Sequence, residues 1–296
     1  MLERDFLLAL HLTPGIGRVR EQRVIAAIES ERVPRFYPWS RFDFAYALRE
    51  DESKLAFIEL FDDYQKTVSM VEESLVIGEE QEPFITYFDQ SYPPLLRESF
   101  QPPLILFYRG DLRALDLPLL SVVGTRNCTQ YGLDAMRHLL PEVIEKGVGV
   151  VSGLAKGIDV MAHQTTFSAG GVAIGVVAAG LKHAYPYENR FMQEEVSQRG
   201  LLLSEYPGEL LANRGHFPER NRIIAGLSAA TLVVEARKKS GSLITANLAL
   251  QNNRDVLAVP GSILSLESEG CNTLIEAGAL PACSPSAIMR AVKLIN

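Results

Sequence analysis

The 296-residue chain predicts an α/β protein, a parallel sheet with helices on both faces, preceded by a small all-α domain. Three observations predict it. From residue 119 onward, short wholly apolar runs alternate with amphipathic stretches of helical length, the pattern of strands buried on both faces. Before residue 83 the apolar residues recur at helical spacing instead. The charge divides at the same place. Residues 1–83 hold 10 basic and 17 acidic residues and the remainder holds 19 of each, so the whole net charge of −7 lies in the first segment.

The first element is a helix over residues 2–12, with Leu2, Phe6, Leu7 and Leu10 on one face. Thr13-Pro14-Gly15-Ile16-Gly17 follows, then a second helix through Val19, Val24, Ile25 and Ile28. Helix, PGIG turn, helix resembles a helix-hairpin-helix, whose glycines let backbone amides face a phosphate. An ordinary αα turn fits the same residues, and the acidic flanks favour it. Residues 51–76 form an acidic amphipathic helix with Leu55, Ile58, Leu60, Phe61 and Val68 on its apolar side. A helical domain over 1–82 and a sheet domain over 83–296 are therefore expected.

After Phe84, the apolar runs FITY and LILFY are separated by proline-rich turns. Buried strands are then expected at 119–123, 148–152, 172–178, 201–204, 231–235 and 256–259. Helices are expected near 129–146, 158–169, 188–199, 219–228 and 242–252. Sheets of this kind bind ligands beyond the carboxyl ends of their strands. The tips there carry Gly124-Thr125-Arg126, Ser152-Gly153 with Lys156, Gly180-Leu181-Lys182, Arg220-Asn221-Arg222, and Lys238-Lys239-Ser240-Gly241-Ser242. Small residues at helix starts expose N–H groups to anions, and the cations add point charges and forked donors. Several such loops on one edge predict a phosphate-lined groove.

Composition narrows the class. With 47% hydrophobic and 22% charged residues the chain is an ordinary globular one, and no apolar run approaches a membrane span. The first residues, MLERDF, do not form a signal peptide. Three cysteines, at 128, 271 and 283, form no CxxC and no disulfide framework, which points to a reducing cytoplasm. A dinucleotide loop requires a second glycine where Arg126 stands, and an acid where the second strand ends in Ser152-Gly153. No ATP P-loop sequence occurs. No cofactor is expected, and a spread of basic tips fits a longer polyanion.

Other chemistries fit less well. Asp159 and His163 stand four apart on a helix, a metal-binding spacing, but a capping Asp and a packed His account for them. Ser152 with those two lacks the strained turn of a nucleophilic serine. Glu235 is expected to pair with an arginine. Arg220 and Arg222 pair with Glu219 and Glu205 in one reading and hold an anion in the other, which their clustering at a helix start favours. Lys238 and Lys239 are either solvated or phosphate contacts. Tyr185-Pro186 is expected in a turn, where an exposed tyrosine can stack a base.

The segments SVVGTRNCTQYG, VVSGLAKGIDVMAHQTTFSAGG, HAYPYENR, LLLSEYPG, HFPERNRIIAGLSAATLVVEARKKSGSLITANLALQNNRDVLAVPGS and EGCNTLIEAGA occur in this order. Together they resemble the DNA-processing protein A family (DprA, also called Smf), strongly over residues 84–280 and more loosely before. The resemblance implies a sterile-alpha-motif-like helical domain followed by an extended Rossmann-type fold. It implies binding and protection of single-stranded DNA, loading of the RecA recombinase in natural transformation, no catalysis, and a homodimer formed through the Rossmann domain. Matched by position, Arg126, Arg220 and Arg222 would contact phosphates, within the Arg220-Asn221-Arg222 segment for the last two. Gly124, Ser152, Gly153, Ser240, Gly241 and Ser242 would let the backbone approach, and Lys156, Lys182, Lys238 and Lys239 would add secondary contacts. With the sequence ending at Asn296, the winged-helix domain of many members is expected to be absent.

A Rossmann-like phosphoribohydrolase is the rival from another class. Its PGGxGTxxE signature is not matched by VPGSILSLESEG. A purely protein-binding scaffold would not need the basic tips.

Overall fold

The computed structural model describes residues 3–36, 38–77 and 82–294. It divides into two compact units: Met1–Tyr92 with Gln101–Leu106, and Pro93–Phe100 with Phe107–Asn296.

The first unit contains α1 (Glu3–Leu12), α2 (Arg18–Glu29), α3 (Arg41–Leu48), α4 (Leu55–Val76) and the short strand β1 (Phe84–Thr86). Leu2, expected on the first helix, lies outside the described residues. An aromatic core holds the helices together: Phe6 packs on Trp39 at 5.1 Å, and Phe44 stacks on Tyr64 at 4.6 Å. The third helix was not expected. Its start is a capping box in which the Ser40 hydroxyl accepts from Asp43 N and the Asp43 carboxylate accepts from Ser40 N. In the Thr13–Gly17 turn the amides of Ile16 and Gly17 bond to Thr13 and Gly15 carbonyls, as in an ordinary αα turn.

The first compact unit runs on past residues 82–83, where the composition changes. Residues up to Tyr92, and 101–106, belong with the helices. Arg4 donates to the Phe84 carbonyl, the Tyr87 hydroxyl to Glu29 at 2.8 Å, and Gln22 to the Pro102 carbonyl at 2.7 Å. Such contacts span long stretches of sequence and leave no mark in it.

The second unit continues through α5 (Pro94–Arg97), β2 (Ile105–Gly110, whose first two residues count with the first unit), β3 (Leu119–Val123), α6 (Gln130–Glu145), β4 (Gly149–Ser152) and α7 (Ile158–Ser168). Then come β5 (Ala173–Val177), α8 (Arg190–Arg199), β6 (Leu201–Ser204), α9 (His216–Leu227), β7 (Ala230–Val233) and α10 (Gly241–Gln251). It closes with β8 (Asp255–Ala258), α11 (Glu269–Glu276), β9 (Leu280–Pro281) and α12 (Pro285–Ala291). The strands lie in the order β2-β6-β5-β4-β3-β7-β8-β9. All these neighbours pair in parallel except β2 and β6, where Phe107 opposes Ser204. All six expected strands are present, with ends shifted by a residue or two, and α9 starts three residues early at His216.

The apolar runs are buried because both faces are covered. Leu120, Val122, Val150, Leu232 and Leu257 pack in one core with Met136, Leu140 and Ile144 of α6 and Ile288 and Met289 of α12. From β3 the chain adds β4, β5 and β6 on one side, then crosses back to lay β7 on the other. The order therefore reverses between β3 and β7, and a ligand crevice is expected beyond their carboxyl ends.

Candidate functional site

Beyond β3 the chain turns sharply against α7. A Cβ on Gly124 would lie 2.5 Å from the Ile158 side chain, so helix and loop touch only because that position is glycine. The Thr125 amide bonds to the Glu235 carbonyl at 2.7 Å, and the Thr125 carbonyl accepts from Ile158 N at 3.1 Å. Arg126 follows, exposed, with its guanidinium 5.8 Å from the centre of the Phe217 ring. Among the described residues it forms no ion pair. The backbone approach that a dinucleotide loop needs at this place is moved to Gly157, whose φ of +76° and missing Cβ admit the Thr125 carbonyl.

The next helix start is already occupied. Glu235 is buried and accepts from Thr129 N at 2.8 Å and from the Thr129 hydroxyl at 2.6 Å, at the amino end of α6. Among the described residues no arginine pairs with it: Glu235 instead holds Thr129 at the start of a helix. A Cβ on Gly132 would lie 2.4 Å from its Oε2, which explains the second glycine of the motif. In dinucleotide-binding folds the pyrophosphate sits at this helix end. Here a carboxylate fills it, which closes this seat to an anion.

Beyond β4, Ser152 is 0% exposed and its hydroxyl donates to the Val122 carbonyl at 2.6 Å. It is a sheet residue and is not open to a ligand, which corrects the expectation for it. Gly153 is buried beneath the Arg220 guanidinium, and its amide donates to Asp159 at 3.2 Å. Burial pushes the Asp159 carboxyl up, opposed first by the charge of Arg220. Burial also pushes His163 down to about 4, with Nε2 3.3 Å from the Ile174 carbonyl. Ser152, Asp159 and His163 therefore form no catalytic triad. Lys156 is exposed and paired with Glu188 at 2.9 Å.

The β5 and β6 loops bring in Lys182, exposed and paired with Glu209, and Glu205, buried and paired with Arg222. Arg222 is 4% exposed. Of its two readings the structure shows the pairing: its guanidinium meets Glu205 inside the protein. Tyr206 donates to Glu219 at 2.7 Å and stacks on His216 at 4.0 Å, which steadies the start of α9. Arg220 is 5% exposed, donates to the Val176 carbonyl at 3.0 Å, and keeps a buried Nε with no partner.

Beyond β7, Arg237 pairs with Glu267. Lys238 and Lys239 are exposed. Ser240 precedes α10, its hydroxyl 2.7 Å from that of Ser242, and Gly241 has open space where a Cβ would stand.

Two hollows result. One, of about 330 Å³, lies at the β3–β7 crevice and brings together Gly124, Arg126, Arg220, Asn221, Ser240, Gly241 and Ser242. The other, of about 520 Å³, is lined by Arg126, Gly153, Lys156 and Arg220, with Tyr185, Tyr187 and Phe217. Arg126, Ala155, Phe217 and Arg220 line both. Ser152, Lys182, Arg222, Lys238 and Lys239 line neither. The sequence reading missed Phe217 and Arg237 as site residues. An aromatic and an arginine inside strand-tip loops were the available signals. A further hollow of about 500 Å³, in the helical unit around Arg23, Phe42 and Tyr46, contains none of the residues singled out.

An α/β sheet whose switch-point crevice gathers guanidinium groups, and whose usual pyrophosphate seat is filled by a carboxylate, defines a Rossmann-type protein whose dinucleotide seat is closed. Residues 83–293 match the family described as DNA recombination-mediator protein A, and the chain belongs to that family. It is similar to the DNA processing protein DprA of Bacillus subtilis, 45% identical over 191 residues, 64% of each chain. It is also similar to that of Streptococcus pneumoniae, 44% identical over 198 residues, 67% of this chain and 70% of the relative. The matched segment thus spans about two thirds of those curated relatives. The solved pneumococcal structure superposes with a TM-score of 0.85 at 32% identity, covering 97% of both chains. DNA processing protein A from Helicobacter pylori, solved in a study of its single-stranded DNA binding mode, superposes with a TM-score of 0.64 at 29% identity, covering 71% of this chain and 97% of that one. Identity is higher over the sequence-matched segment than over the whole fold, so the remainder of the chain has diverged further.

Proposed function

We propose that this protein binds single-stranded DNA along the β3–β7 crevice, protects incoming strands, and loads the RecA recombinase onto them in natural transformation. It acts as a cytoplasmic homodimer and without catalysis. The carrying observation is Arg126: an exposed guanidinium that forms no ion pair among the described residues, beside Phe217 and in one hollow with the buried Arg220. A phosphate placed there accepts forked donors from one side and meets the amino end of α10 on the other. Phe217 and Tyr187 offer faces for unstacked bases, which a duplex does not present. The solved Helicobacter relative and the family membership support the same reading.

The test is fluorescence anisotropy with labelled single-stranded and duplex oligonucleotides of equal length across a salt series. Preference for the single strand is expected, with affinity falling steeply with salt. Arg126→Ala should weaken binding about 10- to 100-fold, the worth of a charge-assisted hydrogen bond, and flatten the salt slope by about 0.7. Equal affinity for duplex, or an Arg126→Ala protein that binds as wild type, would refute the assignment. Faster RecA filament nucleation on protein-bound strands tests the loading step, and sedimentation tests the dimer.

A further inference from the structure

Arg220 lies where the two hollows meet, and it is a costly residue to bury. Its guanidinium loses its hydration and holds one carbonyl, that of Val176, while Nε stays unpartnered. Burial pulls its pKa down, and the charge of Arg126 pulls the same way. The carboxylate that opposes both is Asp159.

Asp159 sits in the first turn of α7 and is 7% exposed. The same carboxylate accepts from Gly153 N at 3.2 Å. It thereby fixes the loop that forms the floor under Arg220. That floor has no room for a side chain: a Cβ on Gly153 would lie 1.5 Å from Arg220 Nη1. The seat of Arg220 therefore has three parts: bare backbone at Gly153, a tether at Val176, and a counter-charge at Asp159.

We propose that Asp159 is a positioning residue for nucleic-acid binding, holding Arg220 at the junction of the two hollows where it can grip a backbone phosphate. This rests on the strand-binding reading above and deepens it. Arg126, Arg220 and Asp159 line the same hollow.

The positioning role makes an unusual prediction. An acid near a phosphate site repels the ligand, so its removal should tighten binding if charge were its only effect. We expect the reverse. Asp159→Asn keeps an oxygen for the Gly153 amide but removes the charge, and should weaken binding of a labelled oligothymidylate about tenfold and flatten the salt slope by about 0.7, as Arg220→Ala does. Combined with Arg220→Ala it should add nothing, whereas combined with Arg126→Ala it should add its full effect. Circular dichroism confirms the fold of each variant. Should Asp159→Asn not fold, Gly153→Ala displaces the same guanidinium from below and is expected to give the same loss of slope. Tighter binding by Asp159→Asn, an equal loss in the Arg220→Ala background, or Gly153→Ala binding with the wild-type slope would overturn the role of Asp159. Wild-type protein that binds no strand would overturn the underlying reading instead.

Discussion

Gly132→Ala is a one-methyl test of how the first strand-tip loop is built. The new Cβ would lie 2.4 Å from Glu235 Oε2 and 2.8 Å from its Cδ, contacts that no relaxed structure sustains. Glu235 must then move, and its bond to Thr129 N is the first to break. A charge-assisted hydrogen bond of this kind contributes about 1.5–3 kcal/mol. Replacing glycine within a helix returns about 1 kcal/mol at most. The net loss is therefore about 0.5–2 kcal/mol, or roughly 1–8 °C in melting temperature for a unit of this size. Thermal melts by far-UV circular dichroism give the shift, and hydrogen exchange over residues 129–145 should show α6 losing protection first. In a Glu235→Ala background the same substitution has nothing to strike and should be neutral or slightly stabilising. A Gly132→Ala protein as stable as wild type, or an equal loss in both backgrounds, would refute this account of the motif.

Arg222→Ala should cost about 3–5 kcal/mol in chemical denaturation, because it leaves the Glu205 carboxylate buried without its partner, and Arg222→Met with Glu205→Leu should recover most of it. If Arg222→Ala keeps its stability and loses strand affinity instead, the buried pair has been misassigned. His163 gives a pH dependence. Its folded pKa, about 4, lies below the roughly 6.5 of an unfolded chain, so as pH falls through that window the unfolded state takes up a proton that the folded state refuses. Stability is then fully present above about pH 6.5, and about 2 kcal/mol is lost between pH 7 and pH 5. Urea midpoints of wild type and His163→Asn should diverge across that range, and parallel curves would exclude the buried neutral imidazole.

The site was legible wherever its signal was local. Arg126 stood out because a charge occupies a position that a dinucleotide loop reserves for glycine, and the structure places it at the crevice. Arg220 and Arg222 looked equivalent in sequence. Two residues apart on a helix they point to different faces, and one meets the hollows while the other meets Glu205. Glu235 was assigned the wrong partner because Thr129 lies 106 residues before it. Lys156 and Lys182 resembled free cations because the carboxylates covering them come 32 and 27 residues later.

Taken alone, the amino-acid sequence determined the fold class, the strands and the edge of the sheet that carries the cations. Those features follow from burial periodicity and turn chemistry, which act over a few residues. Tertiary structure alone decided which cations remain free, which acids neutralise the others, and that the seat at α6 is closed to phosphate. It also decided where the two units part. Each of these outcomes depends on groups brought together from distant parts of the chain, where charge and desolvation are settled by proximity in space and not by order in sequence.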